Sequence, residues 1–206
     1  MTFRIRDHIE GDVLAGATLG ERHLTKLLQM VPHDVLSTTT IVIDFDGIAG
    51  ATGSYLKALL VRGLHGGQVA PEPKTPMPDA PRWLLFVANV GDDLVDDLRC
   101  VLAAVGLACL EALEWDAARV RKARRHGTLD PAIDSAFRLL LTMRAATAAE
   151  LAEAGRQSGN GHRDERIGTT AWHYRLGELH KLGLARRTKA DRSWVYEPTA
   201  AEVIDG

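Results

Sequence analysis

The chain is poor in cysteine and in uninterrupted apolar sequence. Its 206 residues include two cysteines, Cys100 and Cys109, which have neither Cys-x-x-Cys spacing nor a nearby pair of histidines. This pattern argues against a disulfide framework and against a zinc site. No run approaches the ~18 apolar residues of a membrane span, and the first residues lack the apolar core of a signal peptide. We therefore expect a cytoplasmic protein with no membrane partner and no metal.

The sequence signatures of common enzyme classes are also missing. The chain has no P-loop, no Gly-x-Gly-x-x-Gly after a strand, no Gly-x-Ser-x-Gly and no His-Glu-x-x-His. Two groups of acids and histidine could suggest a metal. Asp44 and Asp46 lie beside a turn, where polar residues are ordinary. Solvation of a polar loop accounts for His162, Asp164 and Glu165. The sequence predicts no catalytic residue, no metal ligand and no cofactor, so we expect a protein that is not an enzyme.

Acidic and basic residues are distributed unevenly along the chain. Residues 1–118 carry 9 Lys and Arg against 16 Asp and Glu, whereas residues 119–192 carry 16 against 8. Residues 193–206 carry three acids and no base. Such an asymmetry indicates one part that faces a nucleic acid and another part that faces something else.

The first half of the chain alternates strand-like and helix-like segments. Residues 3–9, 38–45 and 82–90 have the composition of strands, and the last two are apolar enough to be buried in a sheet. Helical spacing follows over residues 19–31, from Ser54 onward, and over 92–105. Residues 107–115 fit a further strand and a helical continuation equally well. This order predicts an α/β domain with a mixed sheet over residues 1–116.

A short phrase in this half carries a family resemblance. The strand ending Ile43-Asp44-Phe45-Asp46-Gly47-Ile48 is followed by Thr52-Gly53-Ser54-Tyr55-Leu56, which opens a helix. The phrase resembles that of STAS-like domains, whose fold is shared with anti-sigma-factor antagonists. The resemblance implies a domain that binds a protein partner.

In those antagonists, a serine at this strand-to-helix turn is phosphorylated by histidine-kinase-type ATPases. Gly53 stands at the matching position of this chain, and Thr52 replaces the preceding acid. Hydroxyl groups remain at Ser54 and Thr52, each of which could also be a cap or turn hydroxyl. Ser54 is the candidate phosphoacceptor, and it is also a candidate N-cap of the helix.

The second half begins with a basic segment and continues with three helices. Residues 119–127 are rich in Arg and end at Gly127, which predicts a basic linker helix over residues 117–127. Asp130 and Pro131 then open an amphipathic helix, and Thr147 with Glu150 predicts a capping box on a second one. A third helix runs from about Thr169 to Leu182 and stops at Gly183. A charged hairpin follows, so we predict an α+β domain over residues 128–200.

The third helix and the hairpin carry a second resemblance. Leu176, Leu179, Gly183 and Leu184 match a Leu-x-x-Leu-x-x-x-Gly-Leu phrase, and a basic hairpin follows. About 70 residues in this order are similar to the winged helix-turn-helix regulators of the ArsR and MarR families. The resemblance implies duplex DNA as a partner, with the third helix in the major groove and the hairpin as the wing.

Helical geometry selects the residues that would contact DNA. At about 100° per residue, Trp172, Leu176 and Leu179 fall on one side of the third helix, which we predict to be buried. The opposite side and the hairpin supply the predicted DNA-binding residues Thr169, Thr170, His173, Tyr174, Gly177, Lys181, Arg186, Arg187, Lys189 and Arg192.

The leading hypothesis is a DNA-binding protein that regulates transcription. We expect a homodimer, because two modest recognition helices would then read adjacent half-sites. The STAS-like domain would contact a protein partner or its own copy. The alternative left open is a signalling adaptor that binds proteins, for example a histidine-kinase-type ATPase, without DNA.

Overall fold

The protein has a mixed α/β fold built on one mixed sheet. The structure is a computed structural model that describes residues 1–31, 39–64, 83–116, 119–157 and 168–206. Within these ranges, a six-stranded main sheet is accompanied by a three-stranded sheet and a two-stranded pair. No helix in the same ranges is long and apolar enough to cross a membrane. The predicted α/β class is confirmed at this level.

The main sheet contains both ends of the chain. Its strands, in spatial order, are β1 (Thr2–Arg4), β3 (Thr39–Asp44), β5 (Trp83–Ala88), β6 (Ala108–Trp115), β7 (Val120–Gly127) and β11 (Ala200–Asp205). The first four are parallel, β7 is antiparallel to β6, and β11 is parallel to β7. The sequence of residues 107–115 fits a strand and a helix equally well, and the structure shows a strand over Ala108–Trp115. The separate pair consists of β2 (Val13–Leu14) and β4 (Gly50–Ala51).

Helices cover one face of the main sheet. They are α1 (Ala17–Met30), a run made of α2 (Gly53–Leu56), a π-helical turn (Lys57–Val61) and α3 (Arg62–Leu64), and α4 (Asp92–Val105). The helical spacing of the sequence predicted α1 and α4. Gly106 ends α4 in the left-handed conformation, with φ of 65°, as expected of a glycine that follows a helix.

The cap of α2 differs from the prediction. Thr52, not Ser54, is the N-cap, and its Oγ1 accepts a hydrogen bond from the Tyr55 N–H at 3.4 Å. The same oxygen accepts a second bond from the Gly16 N–H at 3.0 Å. Because Thr52 already holds the extended backbone that a cap requires, the helix begins one residue before Ser54.

The predicted basic linker helix is wrong, because residues 120–127 form β7. Val120, Ala123 and His126 are buried in this strand, and their spacing of three residues resembles that of a helix. The pairing of β6 with β7 shifts register twice near Ala112 and Trp115. The interval from Ala123 to His126 is paired in regular register, so these two residues lie on opposite faces of the sheet. Because both faces are covered, the strand lacks the alternation of buried and exposed residues that would indicate it in the sequence.

The second half forms what we call the C-terminal unit, residues 131–198. Its elements are α5 (Pro131–Met143), β8 (Ala146–Thr147), α6 (Ala148–Gln157), α7 (Thr169–Lys181), β9 (Ala185–Ala190) and β10 (Ser193–Pro198). The three strands form a small antiparallel sheet in the order β8-β10-β9. Asp130 caps α5 and Pro131 occupies its first turn, as predicted.

Two hydrophobic cores lie on the two faces of the main sheet. The first core joins one face to the helices of the first half, with Ile43 and Val87 from the sheet. The second core joins the other face to the C-terminal unit, where Val42 and Phe86 pack with Phe137 and other residues of α5, α6 and α7. The C-terminal unit thus shares its core with the main sheet.

This shared core predicts that residues 117–206 will not fold alone. Burying four large side chains such as Val42, Leu84, Phe86 and Leu110 contributes roughly 1.5–3 kcal/mol each. Their sum is comparable with the whole free energy of unfolding of a domain, about 5–15 kcal/mol. We expect the full chain to unfold in one thermal transition followed by circular dichroism, and the isolated fragment to show no cooperative transition. A sharp melting transition of the fragment would contradict this expectation.

A histidine is buried in the first core beside a tyrosine. His23 is fully buried, and its Nδ1 lies 2.7 Å from the hydroxyl oxygen of Tyr55. Burial lowers the pKa of His23, and the positive charge of Lys26 acts in the same direction. Burial also raises the pKa of Tyr55, so its hydroxyl stays protonated beside the imidazole.

The low pKa of His23 predicts acid sensitivity of the fold. Below pH 6.5 the unfolded chain binds a proton at His23 more readily than the folded chain does. The free energy of unfolding therefore decreases as the pH is lowered. We expect His23→Asn, which keeps an acceptor near Tyr55, to have a flatter profile of urea stability between about pH 7 and 5 than the wild type. His173→Asn, at an exposed position, should keep the wild-type profile. Equal slopes for the wild type and His23→Asn would contradict the prediction.

Candidate nucleic-acid interface

Contacts of its apolar side fix the orientation of α7. The predicted capping box closes the start of α6, since the Thr147 N–H donates to Glu150 Oε2 at 2.7 Å and the Glu150 N–H donates to Thr147 Oγ1 at 3.3 Å. Gly155 then allows α6 to approach α7, because a Cβ at this position would lie 2.8 Å from the ring of Trp172. On the same side, α7 buries Leu176 and Leu179 in the second core.

The opposite side of α7 is open to solvent. Thr169, Thr170, His173 and Lys181 are exposed, and Tyr174 is 65% exposed, which is high for a large aromatic side chain. Gly177 is half-exposed on the same side. The structure therefore brings the predicted α7 residues together on one accessible face. Lys181 donates to Glu178 Oε1 at 2.6 Å, so its charge is partly neutralised.

Two buried polar residues of α7 were missed by the sequence analysis. Arg175 is 9% exposed, and its guanidinium lies 4.9 Å from the centre of the Trp172 ring. His180 is 6% exposed, and its Nδ1 donates to the Ala185 carbonyl at 3.0 Å. Both lie near the predicted apolar side, where helical spacing would have indicated burial. Arg175 covers the ring of Trp172 in the same helix, and His180 connects α7 with Ala185, the first residue of β9.

The hairpin of β9 and β10 carries three cations away from the core. Arg187 is half-buried, and its guanidinium stacks 4.4 Å from the centre of the Trp194 ring. Lys189 is exposed near the end of β9, and Arg192 is exposed in the two-residue turn. Within the described part of the chain, no acid lies within ion-pair distance of Lys189 or Arg192. Asp191 completes the turn with φ of 51°, a conformation that aspartate adopts more readily than most residues.

Arg186 is placed differently from the other cations of the hairpin. Its Nη2 donates to the Thr40 hydroxyl of β3 at 3.0 Å, and it is half-buried between the hairpin and the main sheet. Burial lowers the pKa of Arg186, while the neighbouring charge of Glu197 raises it. This side chain therefore connects the C-terminal unit with the main sheet and does not lie on the outer face of the hairpin.

The strongly basic strand β7 is neutralised within the molecule. Arg121 lies 3.0 Å from Asp116, and Lys122 lies 3.3 Å from Glu202. The remaining two cations of the strand, Arg124 and Arg125, also pair with carboxylates. The positive charge that the sequence concentrates in residues 119–127 is therefore largely unavailable to a phosphate backbone.

Four charges join β7, α5 and β11 in an alternating network. Arg125 binds Asp134 and also Asp205, the latter at 2.6 Å. Arg138 binds the same two carboxylates, each at 2.9 Å. Although burial opposes ionisation of Asp134, hydrogen bonds from Arg125 and Arg138 lower its pKa. The network holds the start of the C-terminal unit and the last strand on the same edge of the main sheet.

The candidate phosphoacceptor Ser54 lies at an exposed helix start. Its Oγ is 3.1 Å from the Oγ1 of Thr52, which is already engaged as the helix cap. Asp44, at the end of β3, accepts hydrogen bonds from the Asp46 N–H at 3.0 Å and from Asn89 Nδ2 at 2.8 Å. These contacts give Asp44 a structural role in the turn that precedes α2.

A buried charged cluster on β6 and β7 was also missed. Glu111 is 4% exposed, and its Oε2 lies 2.9 Å from His126 Nε2 and 3.3 Å from Arg124. Its Oε1 accepts from the Val90 N–H at 3.2 Å. Burial opposes ionisation, but the hydrogen bonds from His126 and Val90 lower the pKa of Glu111. An acid inside the apolar run Leu107–Leu113 was the available signal.

Comparison of the chain with family models, with curated proteins and with solved structures finds no match. Neither the STAS-like nor the winged-helix resemblance gains or loses support from this result. The function therefore has to follow from the residues and from their geometry.

The position of Arg186 predicts an effect on stability. Arg186→Gln removes a charge-assisted hydrogen bond to Thr40 at a partly buried junction, and we expect it to lower the free energy of unfolding by about 1–2 kcal/mol. Lys189→Gln, on the same strand but exposed, should change it by less than about 0.5 kcal/mol. Urea unfolding measures both variants. Equal effects of the two substitutions would contradict the prediction that Arg186 stabilises the fold and Lys189 does not.

Proposed function

We propose that this chain is a DNA-binding regulatory protein whose C-terminal unit is a winged helix. The single observation that carries the proposal is the exposed face of α7 beside a hairpin with exposed cations. The order α5, β8, α6, α7, β9, β10, with β10 between β8 and β9, agrees with this architecture. In it, α7 acts as the recognition helix and the hairpin as the wing.

The size and chemistry of α7 support a place in the major groove. Its 13 residues span about 20 Å, enough to pass through a groove about 12 Å wide. Hydroxyl, imidazole and phenol groups on its exposed face suit hydrogen bonds to base edges and phosphates. Thr170, His173 and Tyr174 supply them. Lys181, the last residue of α7, suits a phosphate.

The wing supplies the positive charge for contacts that do not depend on the base sequence of the DNA. Arg187, Lys189 and Arg192 are the hairpin cations that do not face the main sheet, and phosphates are their natural partners. Few cations per chain mean modest affinity for DNA. A homodimer would double these contacts, and we retain the dimer as part of the proposal.

The first half of the chain is proposed to be a STAS-like domain that binds a protein partner or a second copy. Its net negative charge in the sequence disfavours direct contact with DNA. The exposed acids Asp92, Asp93, Asp96 and Asp97 on α4 contribute to this charge. We keep Ser54 as the candidate phosphoacceptor because its hydroxyl is exposed at the expected turn.

One observation favours a second function. The cations of β7 are engaged in intramolecular pairs, which removes much of the positive charge that DNA binding would use. An adaptor that binds proteins with both halves, for example a histidine-kinase-type ATPase, would need no such charge. The two functions differ in how binding to a duplex depends on salt.

We predict salt-dependent binding of the full-length protein to duplex DNA. With Lys181, Arg187, Lys189 and Arg192 as phosphate contacts, the slope of log affinity against log salt should be about −3 to −4 per bound chain. The double variant Lys189→Gln, Arg192→Gln should reduce the magnitude of the slope to about 2. Fluorescence anisotropy of a labelled duplex measures all of these.

The matched control is Arg121→Gln, which removes a cation that is already paired with Asp116. It should leave the slope unchanged. A folded wild-type protein that does not bind any duplex at about 50 mM salt would reject DNA binding and favour the adaptor.

A further inference from the structure

One glycine in the middle of α7 has no role in packing. A Cβ added at Gly177 would meet nothing within 4 Å, and its backbone φ is not positive. Glycine is the least favourable residue in a helix interior apart from proline, so its presence there weakens α7. The fold alone would favour alanine at this position.

Other glycines within the described helices show the contrast. A Cβ at Gly20 of α1 would lie 2.6 Å from the Tyr55 carbonyl oxygen, and one at Gly155 of α6 would lie 2.8 Å from Trp172. A Cβ at Gly63 of α3 would lie 2.7 Å from the side chain of Leu85. Each of these glycines permits a close contact between elements of the same chain. Gly177 has no such contact.

The surroundings of Gly177 place it at the centre of the proposed DNA-binding face. Tyr174 precedes it by about one turn and Lys181 follows it by about one turn, and both side chains are exposed. The surface of α7 therefore has a depression at Gly177, between the exposed side chains of Tyr174 and Lys181. A ligand that lies along α7 would reach the backbone there and nowhere else on this line of residues.

We infer that Gly177 sets the depth at which α7 enters the major groove of duplex DNA, by letting one edge of the groove approach the helix backbone between Tyr174 and Lys181. This inference rests on the proposed DNA-binding function and adds a positioning residue to it. A side chain at residue 177 would hold the helix away from the base edges and weaken the contacts made by Thr170 and Tyr174. The cations of the wing would still reach the phosphates, because they lie on a different element.

The test is a size series at this position in the full-length protein. The wild type first selects its preferred duplex from a pool with a randomised centre. The affinities of the wild type, Gly177→Ala and Gly177→Leu are then measured for the selected duplex and for a duplex of unrelated sequence. Thr142→Ala, an exposed substitution inside α5 that also favours the helix, is the matched control.

We expect both Gly177 variants to be at least as stable as the wild type, with Gly177→Ala raising Tm by about 2–3 °C. Affinity for the selected duplex should fall about tenfold for Ala and further for Leu, because overpacking an interface grows costlier with volume. Affinity for the unrelated duplex should fall less than about threefold, since the wing is unchanged. Thr142→Ala should leave both affinities as in the wild type.

Four results would overturn the inference. Equal affinity of the three proteins for the selected duplex would show that residue 177 does not touch DNA. A lower Tm of Gly177→Ala would show that the glycine serves the fold, and a changed oligomeric mass with unchanged DNA binding would assign it to contact between copies. A folded wild type that binds no duplex would overturn this inference together with the proposed function.

Discussion

Both faces of the main sheet are apolar, and this constraint determines where every other element lies. In β3 and β5, successive residues point to opposite faces, yet Ile41, Val42, Ile43, Leu84 and Leu85 are all buried. A sheet of this kind needs a covering layer on each side. The helices of the first half provide one layer, and the C-terminal unit provides the other. Because the apolar side of α7 packs in the core that covers the sheet, its polar side faces solvent.

The charge of a segment differs from the charge it presents at the surface. Residues 119–192 have a large excess of basic residues, but β7 lies between acids of its own chain, and α5 contributes Asp134 to the same pairing. Among the described residues of this stretch, the wing and the end of α7 bring exposed cations together where an outside phosphate can reach them. Steering toward DNA therefore depends on the placement of a few cations and not on the composition of the half-chain.

The local elements could largely be predicted from the sequence, because their causes are local. The capping box of Thr147 and Glu150, the Asp130-Pro131 start of α5 and the exposed face of α7 all follow from spacing within one turn or one helix. These positions are also those on which the candidate DNA-binding site depends. The face assignment therefore needed no knowledge of the rest of the fold.

The remaining features depend on contacts between distant residues. The helix predicted over β7 rests on a basic composition that ends at Gly127. Burial on both faces of the sheet leaves no two-residue alternation to indicate a strand. β11 was missed because a short segment with two acids becomes a strand only when β7 offers an edge to pair with. Arg186 reaches Thr40, 146 positions earlier in the chain, which spacing within the hairpin does not indicate.

The parallel pairing of β7 and β11 makes the C-terminal unit a crossover connection between neighbouring strands. The chain leaves the sheet at Gly127 and re-enters it at Ala200, which pairs with Val120 at the other end of β7. The two tethers are therefore separated by the length of a strand, about 20 Å. A module held at both ends in this way cannot swing on a single hinge. The direction in which α7 points is then fixed relative to the sheet, so any signal that reorients it must first deform the sheet.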